Sequence, residues 1–302
     1  MKSKDPDAIL HVSLLLLFAA LMGGLFPLTK IAEQAITPLS LAMVRAVMAA
    51  IFLVFIVGVG MRRDLTPLIS QWKAYTTLGV LLSVFFASIP EAEERISANL
   101  SSLLTCIIPI STFLIVTLVL RWERFTLLRF GGGIVALAGV AMFIGLEKIQ
   151  FGHSELIGLA VISGGYIIYA IYLIYARSCE FDPFVATTGT MVYVALILGV
   201  AAFTLEQPLE LLPGKAAMLA AFTIGVLSTG VAYAVLNYLI THAGVIFAAT
   251  AGYFIPVFAI LIDYFLVGES VAWIQLAGLG MTLVGARMVN HSPAIQPASP
   301  PH

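Results

Sequence analysis

Apolar residues come in blocks of roughly 17–24 positions separated by short polar breaks, the length that the hydrocarbon core of a bilayer requires of a helix. A soluble core would instead alternate with a period of about 3.6 or 2 and keep one polar face. The pattern predicts helices over 9–29, 38–58, 74–90, 97–119, 129–146, 156–176, 184–204, 216–240, 244–267 and 271–289. The breaks carry helix punctuation: Thr37-Pro38, Arg62-Arg63-Asp64, Glu91 to Arg95, Glu123-Arg124, Glu147-Lys148, Asp182-Pro183 and Pro213-Gly214. The expected fold is therefore an all-α integral membrane protein with ten transmembrane helices.

Internal similarity refines this picture. In Ser97–Gly139 a helix-borne Pro109 is followed by Glu123, Gly132 and Gly139; in Val245–Gly285, Pro256 is followed by Glu269, Gly278 and Gly285. The Glu-to-Gly offsets, nine and sixteen, are the same in both stretches, and the Pro-to-Glu offsets differ by one. A duplication follows, with halves at 1-146 and 147-290 and a Pro- and Ser-rich tail, 291-302, expected to be disordered. Five helices per half reverse the second half in the membrane, giving the inverted repeats common among secondary transporters.

Composition supports a membrane solvent: 61% of the 302 residues are apolar and 10% charged, against about 25% charged in soluble domains. The net charge of −1 offers no basic excess for nucleic acid. Its distribution gives an orientation. With the N-terminus inside, Lys2, Lys4, Arg62, Arg63, Lys73, Arg121, Arg124, Arg129, Arg177 and Arg287 lie on the cytoplasmic side, and Lys30, Arg95, Lys148 and Lys215 outside. Ten against four sets both termini in the cytoplasm. Met1–His11 superficially resembles the start of a signal peptide, but Leu10 to Thr29 is needed as the first helix, so it is expected to be retained. Cys106 and Cys179 are expected to be free thiols.

The segments Met22-Gly-Gly-Leu-Phe-Pro-Leu-Thr-Lys30, Pro38-Leu-Ser-Leu-Ala-Met-Val-Arg45, Glu94-Arg-Ile-Ser-Ala-Asn99 to Pro109, and Ala232-Tyr-Ala-Val-Leu-Asn-Tyr238 through Pro256 to Gly268-Glu269 and Gly285 resemble the EamA-like family of the drug/metabolite transporter superfamily. The resemblance covers nearly the whole chain. It implies two five-helix repeats, both termini cytoplasmic, and export of metabolites or drugs by alternating access. One departure is Arg121-Trp-Glu123, where a glycine more often precedes the glutamate.

Ionisable groups inside a membrane are costly and default to functional candidates. Arg45 lies seven residues past Pro38, or roughly 10 Å along a helix; it could bind a carboxylate or phosphate, salt-bridge a gate, or fix its helix against a neighbour. Lys30 could close a gate with Glu33 or with the Glu91–Glu94 cluster, or simply anchor the helix at the interface. The Glu91, Glu93, Glu94 and Arg95 run is expected to be a solvated loop. Asp263 is a candidate for proton coupling, and Glu123 and Glu269 for structural roles at helix ends. Asn99, Asn237, Tyr166, Tyr169 and Tyr253 are candidates for a cavity wall, each also able to serve packing. Pro109 and Pro256 are matched helix-breakers, pointing to a central site or to static kinks, and Gly131–Gly133, Gly139, Gly278, Gly280 and Gly285 permit close helix contact.

No phosphate-binding loop, zinc-protease motif or nucleophile elbow occurs in the sequence, so an ATP-driven pump or membrane hydrolase lacks its usual machinery. No cofactor or metal is expected. The leading expectation is a secondary transporter, not an enzyme, exporting small metabolites such as amino acids or drugs. It would work in the bacterial cytoplasmic (inner) membrane, with a small-molecule substrate, the lipid bilayer, protons as a candidate coupling ion, and room for a homo-oligomer. The alternative is a passive channel or lipid scramblase, which would need a continuous polar stripe.

Overall fold

The computed structural model describes residues 6–144, 152–206, 214–267 and 273–290. These residues form helices and turns, with no strand among them. Among the described residues, eight helices are long and apolar enough to cross a membrane: α1 (Asp7–Ala32), α2 (Pro38–Gly60), α3 (Trp72–Glu93), α4 (Leu100–Val119), α6 (His153–Ser178), α7 (Pro183–Leu205), α8 (Lys215–His242) and α9 (Val245–Ile262). Two more, α5 (Leu127–Ile144) and α10 (Trp273–Asn290), pack on each other. Large apolar side chains point outward, among them Leu127, Trp273, Val200, Phe55 and Ile51. A bilayer, not water, satisfies such a surface.

The start signals work as the sequence suggests. Pro38 and Pro183 occupy the first turns of α2 and α7, where the missing N–H costs nothing. Asp182 caps its own helix by accepting hydrogen bonds from the Phe184 and Val185 amides, both at 3.1 Å. α2 is capped from elsewhere in the chain. Glu206, at the end of α7, accepts from Leu39 N (3.0 Å), Ser40 N (2.7 Å), Thr37 Oγ1 (2.5 Å) and Ser40 Oγ (2.9 Å). At the other end of this antiparallel pair Arg63 meets Asp182 at 3.7 Å.

Close approaches fall where glycines were expected to allow them. A Cβ on Gly132 would stand 2.8 Å from Gly285 O, and one on Gly139 would stand 2.6 Å from Gly278 O. α5 and α10 therefore cross backbone to backbone. Gly131 and Gly280 have nothing that near and make no such contact.

The matched prolines meet at a second crossing. Pro256 removes the N–H that would bond Gly252 O, and that carbonyl instead accepts from Thr105 Oγ1 at 2.8 Å. Pro109 likewise releases Thr105 O, which lies 2.6 Å from where a Gly252 Cβ would be. α4 thus satisfies the carbonyl freed in α9, and the two helices meet backbone to backbone at the matched prolines. Ahead of Pro109 the helix tightens to a 3₁₀ turn over Leu104–Cys106.

One expectation is overturned. α3 runs on to Glu93, past Pro90, and Glu93 is buried at 1% exposure instead of lying in a solvated loop. Pro90 costs α3 one hydrogen bond without ending it, because the neighbouring helices hold the last turn in place. Arg95 pairs with Glu91 at 2.7 Å. Both cysteines are free.

Candidate functional site

Arg45 is the centre of the buried polar groups. It sits on α2 with 2% of its surface exposed. Its guanidinium carbon stands 3.8 Å from the centroid of the Phe86 ring of α3, a cation–π geometry strengthened by desolvation. Nε donates to Thr229 Oγ1 at 3.3 Å. Nη2 is buried with no hydrogen-bond partner, and a buried charged donor left unpaired is costly.

Thr229 is delivered by a π-helical stretch of α8, Ile224–Val231, a local geometry frequent at functional sites. Its sequence signal is Gly225-Val-Leu-Ser-Thr-Gly230, small and hydroxylated residues in mid-helix, which a pattern of apolar blocks does not register. Gly225 also lets α8 approach Met48 and the Arg45 carbonyl.

Around the guanidinium lies a wall of aromatic rings. Phe86 meets Tyr233 edge-on at 5.5 Å, Phe85 stacks on Tyr169 at 4.3 Å, and Tyr169 lies 5.6 Å from Tyr172 and 6.2 Å from Tyr233. The hydroxyls of Tyr169 and Tyr233 face each other without a hydrogen bond of normal geometry. The spacing of tyrosines on α6 singled out Tyr166 and Tyr169; Tyr172 and Tyr233 join them because α3, α6 and α8 converge there.

Other candidates divide between this cluster and its supports. Tyr166 is buried and donates to Ser101 O at 2.9 Å. Asn237 donates to Thr187 Oγ1 at 2.8 Å and to Tyr233 O at 3.2 Å, so it ties α8 to α7 beneath the aromatic wall. Tyr253 lies apart, lining a cavity of about 90 Å³ with Ile110, Phe113, Arg129 and Phe130. The side chains of Asn99 and Asp263, and Glu269 entirely, lie outside the described residues. Glu123 pairs with Arg129 in the first turn of α5.

Charged groups gather at the Glu206 end of the bundle. Lys30 lies 3.5 Å from Glu33 Oε2 and donates to the main-chain carbonyl of Glu93. Burial pushes the Glu33 carboxyl up to about 7, with Lys30 opposing and Glu94 adding to the rise. The opposite end holds a cavity of about 350 Å³ lined by Arg63, Asp64, Gln71, Tyr75, Glu180 and Asp182 among others.

The EamA-like transporter family model matches the chain twice, over residues 9–145 and 156–291. This chain belongs to the EamA-like transporter family. It is similar to an uncharacterized transporter, YdfC, of Bacillus subtilis (strain 168), with 25% identity over 94% of this chain and 91% of that one. An uncharacterized transporter of Archaeoglobus fulgidus is 23% identical over 88% of this chain and 94% of its own length. A solved structure described as a crystal structure of protein superposes with a TM-score of 0.77 at 16% identity, covering 92% of this chain and 97% of that one, and so shares the fold. The EamA-like chain is a multi-pass membrane transporter.

Proposed function

We propose that this EamA-like protein is a secondary transporter that exports small metabolites or drugs by alternating access. α5 and α10 also cross the membrane, and the halves 1–146 and 147–290 are inverted repeats with both termini on the cytoplasmic side of a bacterial inner membrane. Support comes from reciprocal packing. Gly132 meets Gly285 while Gly139 meets Gly278, so residues at matched sequence offsets exchange places across one crossing, as a two-fold axis requires. Thr105 and Gly252, each four residues before its proline, touch each other. α1 packs on α9 as α6 packs on α4, α1 on α8 as α6 on α3, and α2 on α8 as α7 on α3.

The observation that carries the site is the unpartnered Nη2 of Arg45, walled by α2 and α3 of the first half and α6 and α8 of the second. A carboxylate or phosphate on the substrate would complete it, and the stacked rings would hold an apolar or planar portion. Arg45, Tyr169 and Tyr233 are the proposed contacts. Asn237 and Tyr166 position them, and the crossing at Pro109 and Pro256 is where the halves pivot. The 350 Å³ cavity at the Arg63 end is the proposed cytoplasmic vestibule.

The test compares growth media of cells overproducing the wild type, Arg45→Ala and Asn237→Ala, by untargeted mass spectrometry at matched membrane expression. A metabolite enriched by the wild type and lost in Arg45→Ala is expected, with partial loss in Asn237→Ala. Indistinguishable media for wild type and Arg45→Ala would refute the placement of the site.

A further inference from the structure

The transport site leaves one buried ionisable group unused. Glu93 is 1% exposed, and neither carboxylate oxygen makes a hydrogen bond of normal geometry. Every helix against this end presents a group to it. α1 brings Lys30 and, just beyond its end, Glu33; α2 brings Arg45; α4 brings the Ser101 hydroxyl; α6 brings Tyr166; Glu94 faces Glu33. Neither cation serves the Glu93 carboxylate. Lys30 is engaged by Glu33 and by the main-chain oxygen of Glu93, and Arg45 by Thr229 and the Phe86 face.

We propose that Glu93 is a proton-binding site, occupied in this closed arrangement and emptied when the Glu206 end of the bundle opens, with Glu33 as its charge partner. A buried, unpaired carboxylate costs several kcal/mol, on the order of the penalty for any unpaired buried ion, and a proton removes that cost. The step is simple: a carboxylic acid gives its proton to water and leaves a carboxylate. The resulting charge needs a counter-ion or water, which means drawing Lys30 from Glu33 or parting α1 from α3. Either movement loosens that end, so proton release and opening become one event. Burial also pushes the Glu33 carboxyl up to about 7, so the charge that faces Glu93 changes with pH as well. The coupling role rests on the transporter reading above; the proton site itself does not.

Infrared difference spectra of the purified protein in lipid, taken between about pH 5 and about pH 9, a range bracketing neutral titration, test this directly. Protonated-carboxyl absorption from both Glu93 and Glu33 that vanishes with rising pH is expected in the wild type, with the Glu93 component absent in Glu93→Gln and the Glu33 component absent in Glu33→Gln, which leaves the Glu93 band alone to be read. Glu33→Gln should move its midpoint down by on the order of one pH unit, because a facing negative charge is removed and Lys30 is released. Should Glu93→Gln fail to fold, Glu93→Asp should keep the band at a shifted frequency. A band unchanged by Glu93→Gln or Glu93→Asp, no band at all, or a midpoint indifferent to Glu33→Gln would overturn the proposal. A Glu93 band in a protein that changes no metabolite would leave the proton site standing and remove the metabolite-export reading alone.

Discussion

Glu206 offers the sharpest stability prediction, because a single carboxylate from α7 caps the start of α2. Three of its four hydrogen bonds end on Oε2 and one, from Leu39 N at 3.0 Å, on Oε1. Glu206→Gln keeps the shape but leaves one acceptor. With the amide oxygen in the Oε2 position, its NH2 group faces the Leu39 N–H, donor against donor. One bond is lost and three turn neutral, and each loses part of the difference between about 1.5–3 and about 0.5–1.5 kcal/mol. The group is only partly buried, so water recovers some of this, leaving a loss of about 2 kcal/mol. For a chain of this size about 1 kcal/mol moves the melting midpoint about 2–4 °C, so Glu206→Gln should melt about 4–8 °C lower at neutral pH by intrinsic fluorescence in detergent. The pH dependence gives an internal check. Burial alone would raise this carboxyl, but the hydrogen bonds from Thr37, Leu39 and Ser40 outweigh it and hold it below its ordinary 4.5. A depressed carboxyl stabilises above its unfolded value and loses that contribution as pH falls through the folded one. The gap between wild type and variant should therefore be full at pH values above 4.5 and shrink below it. Equal melting at neutral pH, or a gap that persists undiminished in acid, would refute the cap.

Three further outcomes follow from the helix crossings and ends. Gly139→Val should cost roughly 1–3 kcal/mol, the usual range for overpacking, because its Cβ would stand 2.6 Å from Gly278 O; Gly131→Ala, with open space around it, should be neutral or stabilising in the same melting assay. Thr105→Val should cost about 1–2 kcal/mol by stranding the carbonyl that Pro256 releases. In a Pro256→Ala background, where that carbonyl regains a helical partner, the cost should shrink, and a double-mutant cycle with no coupling would deny the contact. Arg121 adopts a φ of 56°, the left-handed region that costs a non-glycine residue about 1–2 kcal/mol; Arg121→Gly should raise the midpoint by up to about 2 °C after the entropy of the added glycine is subtracted, and a lower midpoint would contradict this.

The sequence made the scaffold legible wherever one residue type has one mechanical use. Block length announced the helices, and Gly132, Gly139, Gly278 and Gly285 announced the crossing of α5 and α10, since only glycine admits that backbone approach. The site was legible in part. Arg45 stood out because a guanidinium in an apolar block demands a reason, and the tyrosine ladder marked one wall. Phe86, Thr229 and Tyr233 did not stand out, because an aromatic or hydroxyl residue is ordinary in a membrane helix until three helices bring it to one cation. The burial of Glu93 is hidden in the sequence for a different reason. Four charged residues beside a proline look like a loop, and only the packing of α4 and α6 against the end of α3, with Lys30 reaching its last carbonyl, takes one of them out of water. The strain at Arg121 is also something no pattern of polarity carries: the chain turns through a left-handed residue there, where glycine would be unstrained.

The two ends of the α2–α7 pair differ in strength, and the difference bears on which way the proposed alternating-access cycle would open. At one end Glu206 holds the start of α2 through four hydrogen bonds. At the other, Arg63 and Asp182 lie 3.7 Å apart with side chains 51% and 35% exposed, and such a pair contributes about 0–1 kcal/mol. The proposed inverted repeats would treat the two ends alike, and on that reading the inequality comes from the side chains and not from the fold. The Glu206 end carries the buried acid and the engaged Lys30; the Arg63 end carries the 350 Å³ cavity. Parting α2 from α7 at Arg63 breaks one screened ion pair. Parting them at Glu206 uncaps a helix, and opening that same end exposes the charge of Glu93. The arrangement is thus one that opens cheaply toward the Arg63 side. On the proposed cycle, opening the other way requires a substrate to complete Arg45, or the loss of the Glu93 proton, to offset the cost.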